Sequence, residues 1–321
     1  MRRARTGVGP GPREQARRLL ALGLALVTLG TESAERHSID AICGDCRVAK
    51  FATCGGFLEG ATFDRAGTLW VVDLLSGNIV RVDDAGQCHV EATTGGAPNG
   101  AKFHRDGRLF VADKNRGVLA YDPAADTVTV IADTYRAERI RGTNDLVFDA
   151  AGGLYFTEPY GSSALDPDGR VFYLPPGENA ALTVLADGLA FPNGVALAPN
   201  GANVYVGEYA RKRIVSLPAA NSTNAFDIAH VVAYTEGGVG PDGMALDADG
   251  NLYAAIFQGG EIRVIGADRF AYGSIVLPEG AGTFVTNLAF KEDYLYITEA
   301  SLGEIWRVRV AKSGLALFHQ N

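Results

Sequence analysis

Histidine and cysteine, which supply most zinc ligands, are scarce in this sequence of 321 residues. The five histidines stand far apart and share no spacing, at His37, His89, His104, His230 and His319. The sequence also has no G-x-S-x-G motif, which marks one large class of serine hydrolases. These absences argue against zinc chemistry and against a Ser-His-Asp triad.

Long apolar runs are lacking too, except for Leu19–Leu29 near the N-terminus. This run follows a basic segment and precedes small residues, which is the order of a secretory signal. We therefore predict a signal peptide in residues 1–34 and a secreted or periplasmic protein. The alternative is a cytoplasmic protein with an N-terminal extension. The run is shorter than the roughly 20 residues that cross a bilayer, so no membrane span is predicted.

The four cysteines, Cys43, Cys46, Cys54 and Cys88, all lie near the start of the predicted mature chain. Cys43 and Cys46 have C-x-x-C spacing, but no second pair of cysteines or histidines completes a zinc site. In an exported protein, one or two disulfides that fix the N-terminal arm are the simplest interpretation. The pairing stays open, and reduced cysteines are the alternative if the protein is not exported.

Positive charge is scarce beyond the predicted signal peptide. The net charge of the whole chain is −8, and residues 35–321 contain 23 basic and 35 acidic side chains. An acidic body of this kind cannot neutralise phosphates, so a nucleic-acid partner is excluded. It is compatible with a cation site.

Glycine is abundant instead, with 40 residues, or about 12% against the usual ~7%. It recurs in turns between short apolar strands, and six of these strands match one another: LWVVD, LFVAD, LYFTE, VYVGE, LYAAI and LYITE. The repeat length is about 40–50 residues, with no amphipathic helix in any unit. This pattern predicts one domain, residues 35–321, folded as an all-β, six-bladed propeller with four antiparallel strands per blade.

The sixth unit ends near Val310 without a fourth strand. A short apolar segment, Val48–Ala52, precedes the first unit where an outer strand precedes every other unit. We predict that this N-terminal strand completes the last blade, because ring closure removes an exposed strand edge.

One polar residue opens each repeat, and such equivalent positions converge on the axis of a propeller. They are Glu59, Asn99, Asn144, Asn193, Asp242 and Asn287. All supply oxygen, so the set suits a hard cation, with Ca²⁺ favoured and another divalent cation as the alternative. Taken singly, Pro-Asn-Gly and Pro-Asp-Gly are typical turn sequences. Glu59 favours the metal interpretation, because glutamate has no turn role.

The fragments around these positions resemble the family of gluconolactonases, senescence marker protein and luciferin-regenerating enzyme. They are Leu58–Gly60, Thr143–Asp149, Phe191–Gly194 and Pro241–Asp247. The likeness covers roughly residues 47–310 and extends to a drug-responsive bacterial lactonase and to diisopropyl fluorophosphatase. It implies that Glu59, Asn144, Asn193 and Asp242 bind a catalytic Ca²⁺ and that Asn99 lies nearby.

The resemblance also implies a reaction, in which the metal polarises a lactone carbonyl and water attacks it. Asp242 is the candidate catalytic residue, as a general base or, with phosphoesters, a nucleophile. Substrate contacts are expected from Asn99, Asn287, Tyr160 and Tyr209. No organic cofactor is implied.

One position departs from the pattern of the sugar lactonases, which carry an arginine two residues before the third axial residue. Here Gly142 stands there, and Arg141 is one step away. This weakens the case for a sugar lactone and leaves a less polar lactone or a phosphotriester-like ester. Tyr160, Tyr209 and Phe257 follow the second strands of their units and are expected either to shape an apolar mouth or to pack outside it.

Our main hypothesis is a Ca²⁺-dependent, gluconolactonase-like hydrolase that acts as a monomer on a small lactone or ester. A non-catalytic propeller that binds a protein or carbohydrate is the first alternative. A phosphotriesterase-type or strictosidine synthase-like propeller enzyme is the second. The axial Glu59 favours a metal enzyme over a scaffold, which needs no acid there.

Overall fold

The computed structural model describes residues 37–177, 180–223 and 228–320. Its strands form six four-stranded antiparallel sheets arranged around an axis, which confirms the predicted six-bladed propeller. The predicted signal peptide lies outside the described residues. None of the helices in the described ranges combines the length and the apolar character needed to cross a membrane.

Blades 1 to 3 come first in the chain. Blade 1 consists of β2 (Leu58–Phe63), β3 (Leu69–Asp73), β4 (Asn78–Val82) and β5 (Cys88–Thr93). Blade 2 consists of β6 (Pro98–Phe103), β7 (Leu109–Asp113), β8 (Gly117–Asp122) and β9 (Thr127–Ala132). A two-stranded hairpin follows, β10 (Thr134–Tyr135) and β11 (Glu138–Arg139). Blade 3 consists of β12 (Leu146–Phe148), β13 (Leu154–Glu158), β14 (Gly169–Leu174) and β15 (Thr183–Leu189).

Blades 4 and 5 repeat this plan. Blade 4 consists of β16 (Pro192–Leu197), β17 (Asn203–Glu208), β18 (Arg213–Pro218) and β19 (His230–Tyr234). Blade 5 consists of β20 (Gly240–Leu246), β21 (Leu252–Phe257), β22 (Glu261–Ile265) and β23 (Ala271–Val276). A short 3-10 helix, Tyr209–Arg211, lies between β17 and β18.

Blade 6 closes the ring as predicted. Its own strands are β24 (Val285–Lys291), β25 (Tyr294–Glu299) and β26 (Glu304–Arg309). The fourth strand is β1 (Ala49–Thr53) from the N-terminal arm, which pairs antiparallel with β26. The last blade therefore has no unpaired edge at β26, and the two ends of the propeller hold each other.

The core lies between neighbouring blades, because each sheet buries both faces of its inner strands. At the junction of blades 1 and 2, for example, Trp70 and Ile79 pack against Phe103 and Leu119. The outer strands face water and are only partly buried, as in β9, whose Val130 is exposed. Burial thus falls from the axis outward, which explains why the second strand of each unit is the most apolar segment of the sequence.

Two disulfides fix the N-terminal arm, Cys43–Cys46 and Cys54–Cys88. Cys43–Cys46 ends the short helix α1 (Asp40–Cys43), whose Ile42 packs into the core between blades 5 and 6. Cys54–Cys88 connects the end of the closing strand to β5 of blade 1. This second disulfide therefore joins the two blades that meet where the ring closes.

The C-terminal tail covers the end of the propeller at which the inner strands finish. Gly314 pairs with Asp247, and Phe318 packs on His104 and Phe148. The tail ends in a 3-10 helix, Phe318–Gln320. A cavity of about 430 Å³ lies between the tail and the inner strands. The axial polar residues lie at the other end, where the inner strands begin.

Replacing Cys54 and Cys88 by serine should lower the free energy of unfolding by about 3–4 kcal/mol, because the disulfide closes a long loop. Replacing Cys43 and Cys46 by serine should lower the free energy of unfolding by about half as much, because that disulfide closes a loop of only a few residues. Denaturant unfolding of the two double variants measures both effects. Equal losses, or a larger loss for Cys43 and Cys46, would contradict the role of Cys54–Cys88 in ring closure.

Candidate metal centre and active site

The inner strands position the axial side chains through a β-bulge. It recurs in blades 1, 2, 4, 5 and 6, where the inner strand pairs with the second strand on both sides of the axial residue. The residue before each axial position pairs with the end of the second strand: Leu58 with Asp73, Pro98 with Asp113, Pro192 with Glu208, Pro241 with Ile256 and Val285 with Glu299. The pairing shifts by one residue immediately afterwards. A bulge of this kind redirects a side chain, here at the start of each inner strand.

Pro-Asn-Gly and Pro-Asp-Gly are therefore not turns in this protein, but lie inside β6, β16 and β20. Their glycines serve close packing around the axis. A Cβ at Gly194 would lie 2.1 Å from the carbonyl oxygen of Asp242, and one at Gly100 would lie 2.3 Å from Oδ1 of Asp145. Only glycine lets neighbouring inner strands approach this closely.

The register aligns blade 6 one residue differently from the sequence repeat. Val285 is equivalent to Leu58, so Thr286 is the register equivalent of Glu59, and its hydroxyl donates to the carbonyl oxygen of Leu58 at 2.7 Å. The predicted residue, Asn287, is the one whose side chain reaches Glu59. Asn287 corresponds to Asp145 of blade 3. The backbone N–H of each donates to a threonine, and Oδ1 of each accepts the N–H of the next residue at 2.9 Å. Counting back from the shared Leu-x-Phe at 146–148 and 288–290 would have revealed this offset in the sequence.

Asp145 is the functional candidate that sequence reasoning missed. Its carboxylate accepts N–H donors from Leu146 and Val195 and is almost fully buried. Burial raises its pKa, and the charge of Lys102 opposes that rise. Lys102 is itself buried and donates to the carbonyl oxygen of Ala101 at 3.1 Å. Blades 2 and 3 thus add a third acid and a cation to the predicted set.

The two predicted acidic ligands, Glu59 and Asp242, are 3% and 5% exposed and interact electrostatically. Burial raises the pKa of Glu59 well above its usual value, and the charges of Asp242 and Asp145 raise it further. Burial likewise raises the pKa of Asp242, with the charge of Asp145 adding to the effect. Asn287 donates to Glu59 and Asn193 donates to Asp242, which partly stabilises the ionised forms.

Three of the four predicted ligands present a buried oxygen that lacks a hydrogen-bond donor among the described residues. These atoms are Glu59 Oε2, Asn144 Oδ1 and Asn193 Oδ1. A buried acceptor without a donor is costly, and so are neighbouring carboxylates without a cation. The described ranges contain no group of three His, Cys, Asp or Glu side chains placed to hold a metal by themselves. Here amides supply half of the predicted ligands, and the donor set fits a hard divalent cation such as Ca²⁺.

Tyr160 lies against this acid pair. Burial, followed by the charge of Glu59, raises its pKa to about 12, and the amides of Asn144 and Asn99 donate to its phenol oxygen. Its O–H therefore stays available to a substrate. Tyr209 faces Asp242, whose charge adds to burial in raising the Tyr209 pKa to about 12. Of the four predicted substrate contacts, Asn287, Tyr160 and Tyr209 interact with the acid pair, and Asn99 interacts with Tyr160. Their contact with a substrate stays a prediction.

Six partly exposed aromatic rings form a continuous run that includes Tyr160 and Tyr209. The aromatic mouth is a run of rings with neighbouring centroids 4.8–6.4 Å apart, formed by Phe57, Tyr160, Phe191, Tyr209, Phe257 and Phe284. Lys114 adds a cation 4.5 Å from the centre of the Tyr160 ring. The interpretation of Tyr160, Tyr209 and Phe257 as mouth residues is favoured over outer packing.

Arg141 does not replace the arginine of the sugar lactonases. Its guanidinium binds Glu158 at 3.0 Å and also Asp168. At Gly142, a Cβ would lie 2.7 Å from the Tyr160 ring. Tyr160 therefore occupies the space next to position 142, and no guanidinium reaches the acid pair from this segment.

Together these features define a six-bladed propeller with a buried axial site of carboxylate and amide oxygens. The chain belongs to the family described as SMP-30/Gluconolactonase/LRE-like region, whose model matches residues 57–301.

Several relatives are lactonases by name. The lactonase drp35 of Staphylococcus aureus is 30% identical over 230 residues, covering 69% of this chain and 70% of that protein. The lactonase drp35 of Staphylococcus epidermidis is 31% identical over 238 residues, covering 71% of this chain and 72% of that protein.

Solved structures share the fold. A gluconolactonase from Xanthomonas campestris superposes with a TM-score of 0.74 at 23% identity, covering 85% of this chain and 92% of that one. A luciferin-regenerating enzyme superposes with a TM-score of 0.71 at 21% identity, covering 85% of this chain and 98% of that one. A regucalcin from Agrobacterium tumefaciens is described as a calcium-binding protein. It superposes with a TM-score of 0.68 at 20% identity, covering 84% of this chain and 95% of that one.

With a chelator present, the melting temperature should fall as the pH rises from about 5 to about 8. Glu59 and Asp242 have raised pKa values when folded, so the folded protein keeps protons that the unfolded chain releases. The free energy of unfolding then decreases as the pH rises above the pKa values of these carboxyl groups in the unfolded chain. The decrease is up to about 1.4 kcal/mol per pH unit for each group. Thermal melts across this range measure the slope.

Excess CaCl₂ should flatten this profile, because a bound cation compensates the ionised pair. Asp242→Asn should also reduce the slope in the chelated protein. Asp293→Asn changes an exposed carboxylate paired with Arg309 and should keep the slope of the unmodified protein. A slope that Asp242→Asn leaves unchanged would show that the acid pair does not set it.

Proposed function

We propose that this protein is a divalent-metal-dependent lactonase, with Ca²⁺ as its metal, that opens lactones of low polarity. The observation that carries the proposal is the axial set of buried, unpartnered oxygens in a chain whose relatives include proteins named lactonases. The named function of a calcium-binding structural neighbour is consistent with the choice of metal.

Glu59, Asn144, Asn193 and Asp242 would hold the cation. When bound, it would polarise the lactone carbonyl and stabilise the negative charge that develops on its oxygen. Glu59, Asn193 and Asp242 lie within the inner strands of three different blades, and Asn144 lies two residues before the inner strand of blade 3. Three of the four donor side chains are therefore held by strands rather than by loops.

Asp242 is the proposed general base. Its carboxylate is buried on the axis and interacts with Glu59, within the set that would hold the cation, so it can accept a proton from an attacking water. The attacking water would pass its proton to Asp242 as its oxygen bonds to the carbonyl carbon. The ring C–O bond would then break, the leaving oxygen would take the proton back from Asp242, and a hydroxy acid would be released.

Tyr160 is placed to orient the substrate. Because two amides donate to its phenol oxygen, its O–H can donate to a lactone oxygen. A raised pKa keeps this phenol protonated at neutral pH. Asn99 would support Tyr160 rather than contact the substrate alone.

The substrate preference follows from the aromatic mouth and from Arg141. A polyhydroxylated sugar lactone needs many polar partners, whereas the rings offer apolar surface. Arg141, which stands one position from the usual arginine, is engaged by Glu158 and Asp168. An aryl-fused or alkyl-substituted lactone therefore fits the entrance better.

We also propose that the protein is exported. Both disulfides in the described residues are compatible with an oxidising compartment. N-terminal sequencing of the protein purified from its native source should begin near residue 35. Recovery of the intact N-terminus from the cytoplasmic fraction would contradict export.

Purified protein should hydrolyse an aryl-fused δ-lactone and an alkyl γ-lactone faster than a sugar δ-lactone or a phosphotriester. A pH-stat assay with each substrate, in CaCl₂ and in chelator, measures this order. Activity should be lost in chelator and restored by Ca²⁺.

Asp242→Asn should reduce kcat by about 100-fold or more, because it removes the base and one metal ligand. Asp293→Asn makes the same chemical change at the surface and should retain full activity. Hydrolysis that neither chelator nor Asp242→Asn affects would refute the metal mechanism. Absence of hydrolysis of every substrate would favour a binding module instead.

A further inference from the structure

Five buried carboxylates outside the proposed metal site share one position in the repeat. Each is the last residue of the second strand of its blade, and none is more than 7% exposed. We call them the clamp carboxylates: Asp73, Asp113, Glu158, Glu208 and Glu299.

Each clamp carboxylate accepts a hydrogen bond from the backbone segment that enters the inner strand of the same blade. The donors lie 2.8–3.0 Å away and are the N–H groups of Phe57, Ala97, Arg141, Ala190 and Phe284. Each donor stands two or three residues before the axial residue of its blade. The clamp therefore fixes the chain just before the side chain that faces the axis.

The same carboxylates also hold the segment that leaves the second strand. Asp73 accepts the N–H groups of Leu75 and Ser76, and Asp113 accepts those of Asn115 and Arg116. In blades 3 and 4 the clamp carboxylate instead binds two arginines, of which Arg170 and Arg213 lie in the third strands. Arg141 and Arg170 bind Glu158, and Arg211 and Arg213 bind Glu208.

Blade 5 has no clamp carboxylate. The residue opposite Pro241 is Ile256, and the entering segment is held by main chain, with the N–H of Val239 donating to the carbonyl oxygen of Phe257 at 2.7 Å. The clamp is thus not a general requirement of a blade in this fold. It is absent in the blade that carries Asp242.

We propose that the clamp carboxylates of blades 1, 3 and 4 are positioning residues for the metal. Asp73 would set the position of Glu59, Glu158 that of Asn144, and Glu208 that of Asn193. Groups behind metal ligands usually change metal affinity about 10–100-fold when removed. This inference rests on the proposed function, because it needs these three residues to be ligands.

The chain offers a closely matched control. Asp73 and Asp113 each accept N–H groups from the residues 16 before, two after and three after themselves. Asp73 supports a proposed ligand, whereas Asp113 supports Asn99, which is not proposed as one. Asp73→Ala and Asp113→Ala therefore remove the same three main-chain contacts with different predicted effects on the metal. Asp113→Ala also removes the hydrogen bond that the Thr94 hydroxyl donates at 2.7 Å, so the control loses at least as many contacts as the test variant.

Isothermal titration of the purified protein with CaCl₂ alone tests the proposal. Asp73→Ala should weaken Ca²⁺ binding about 10–100-fold, and Asp113→Ala should stay within about threefold of the unmodified protein. Thermal melts in chelator should show a stability loss for Asp113→Ala at least as large as that for Asp73→Ala, the opposite order to the predicted losses of Ca²⁺ affinity. Asp73→Asn keeps the oxygen that accepts the backbone N–H groups. Its Ca²⁺ affinity should stay within about threefold of that of the unmodified protein, because the proposed role of Asp73 depends on these hydrogen bonds and not on its charge.

Equal weakening in the two alanine variants, or none in either, would overturn the positioning role and leave the proposed function standing. If the alanine variants do not fold, Asp73→Asn still decides, because a loss of affinity there would show a role for the charge and contradict positioning. If the unmodified protein binds no Ca²⁺, the metal mechanism fails and the positioning role fails with it.

Discussion

Uncompensated negative charge on the propeller axis is the constraint on which the rest of the site depends. Glu59, Asp145 and Asp242 are buried close enough together to raise the pKa values of Glu59 and Asp242. Two amide oxygens beside them have no donor among the described residues. Lys102 offsets part of this charge from the side. A divalent cation would compensate two further charges and satisfy the free oxygens, so electrostatics and hydrogen bonding favour the same ligand.

The fold maintains this arrangement through features that repeat around the ring. The bulge in the inner strand turns one side chain toward the axis, and glycine at the next position lets the neighbouring strand approach. Three of the four proposed ligands thus lie on inner strands, while the segments at the ends of strands supply the aromatic mouth. This division suits the proposed function, in which strands hold the metal ligands and the aromatic mouth sets the substrate preference.

The repeat could be recognised in the sequence because strand alternation and turn residues are local properties. Blade number, the closing strand and five of the six axial residues follow from that spacing. In blade 6 a one-residue bulge aligns Thr286 with Glu59, although the side chain of the predicted Asn287 still reaches Glu59. Asp145 was missed for a different reason, because it occupies a position of the repeat that is usually glycine. The clamp carboxylates were visible only as the ends of apolar strands, with no sign of their partners.

The sequence by itself determined the propeller, the way its ring closes and the oxygen-rich character of the axis, because these depend on spacing along the chain. Tertiary structure decided which cysteines pair, that Arg141 binds Glu158 instead of facing the acid pair, and which oxygens lack a donor. Those outcomes depend on cross-strand register and side-chain direction. Both are set by contacts between residues that lie far apart in the chain, and a single residue's shift reverses which side chains meet.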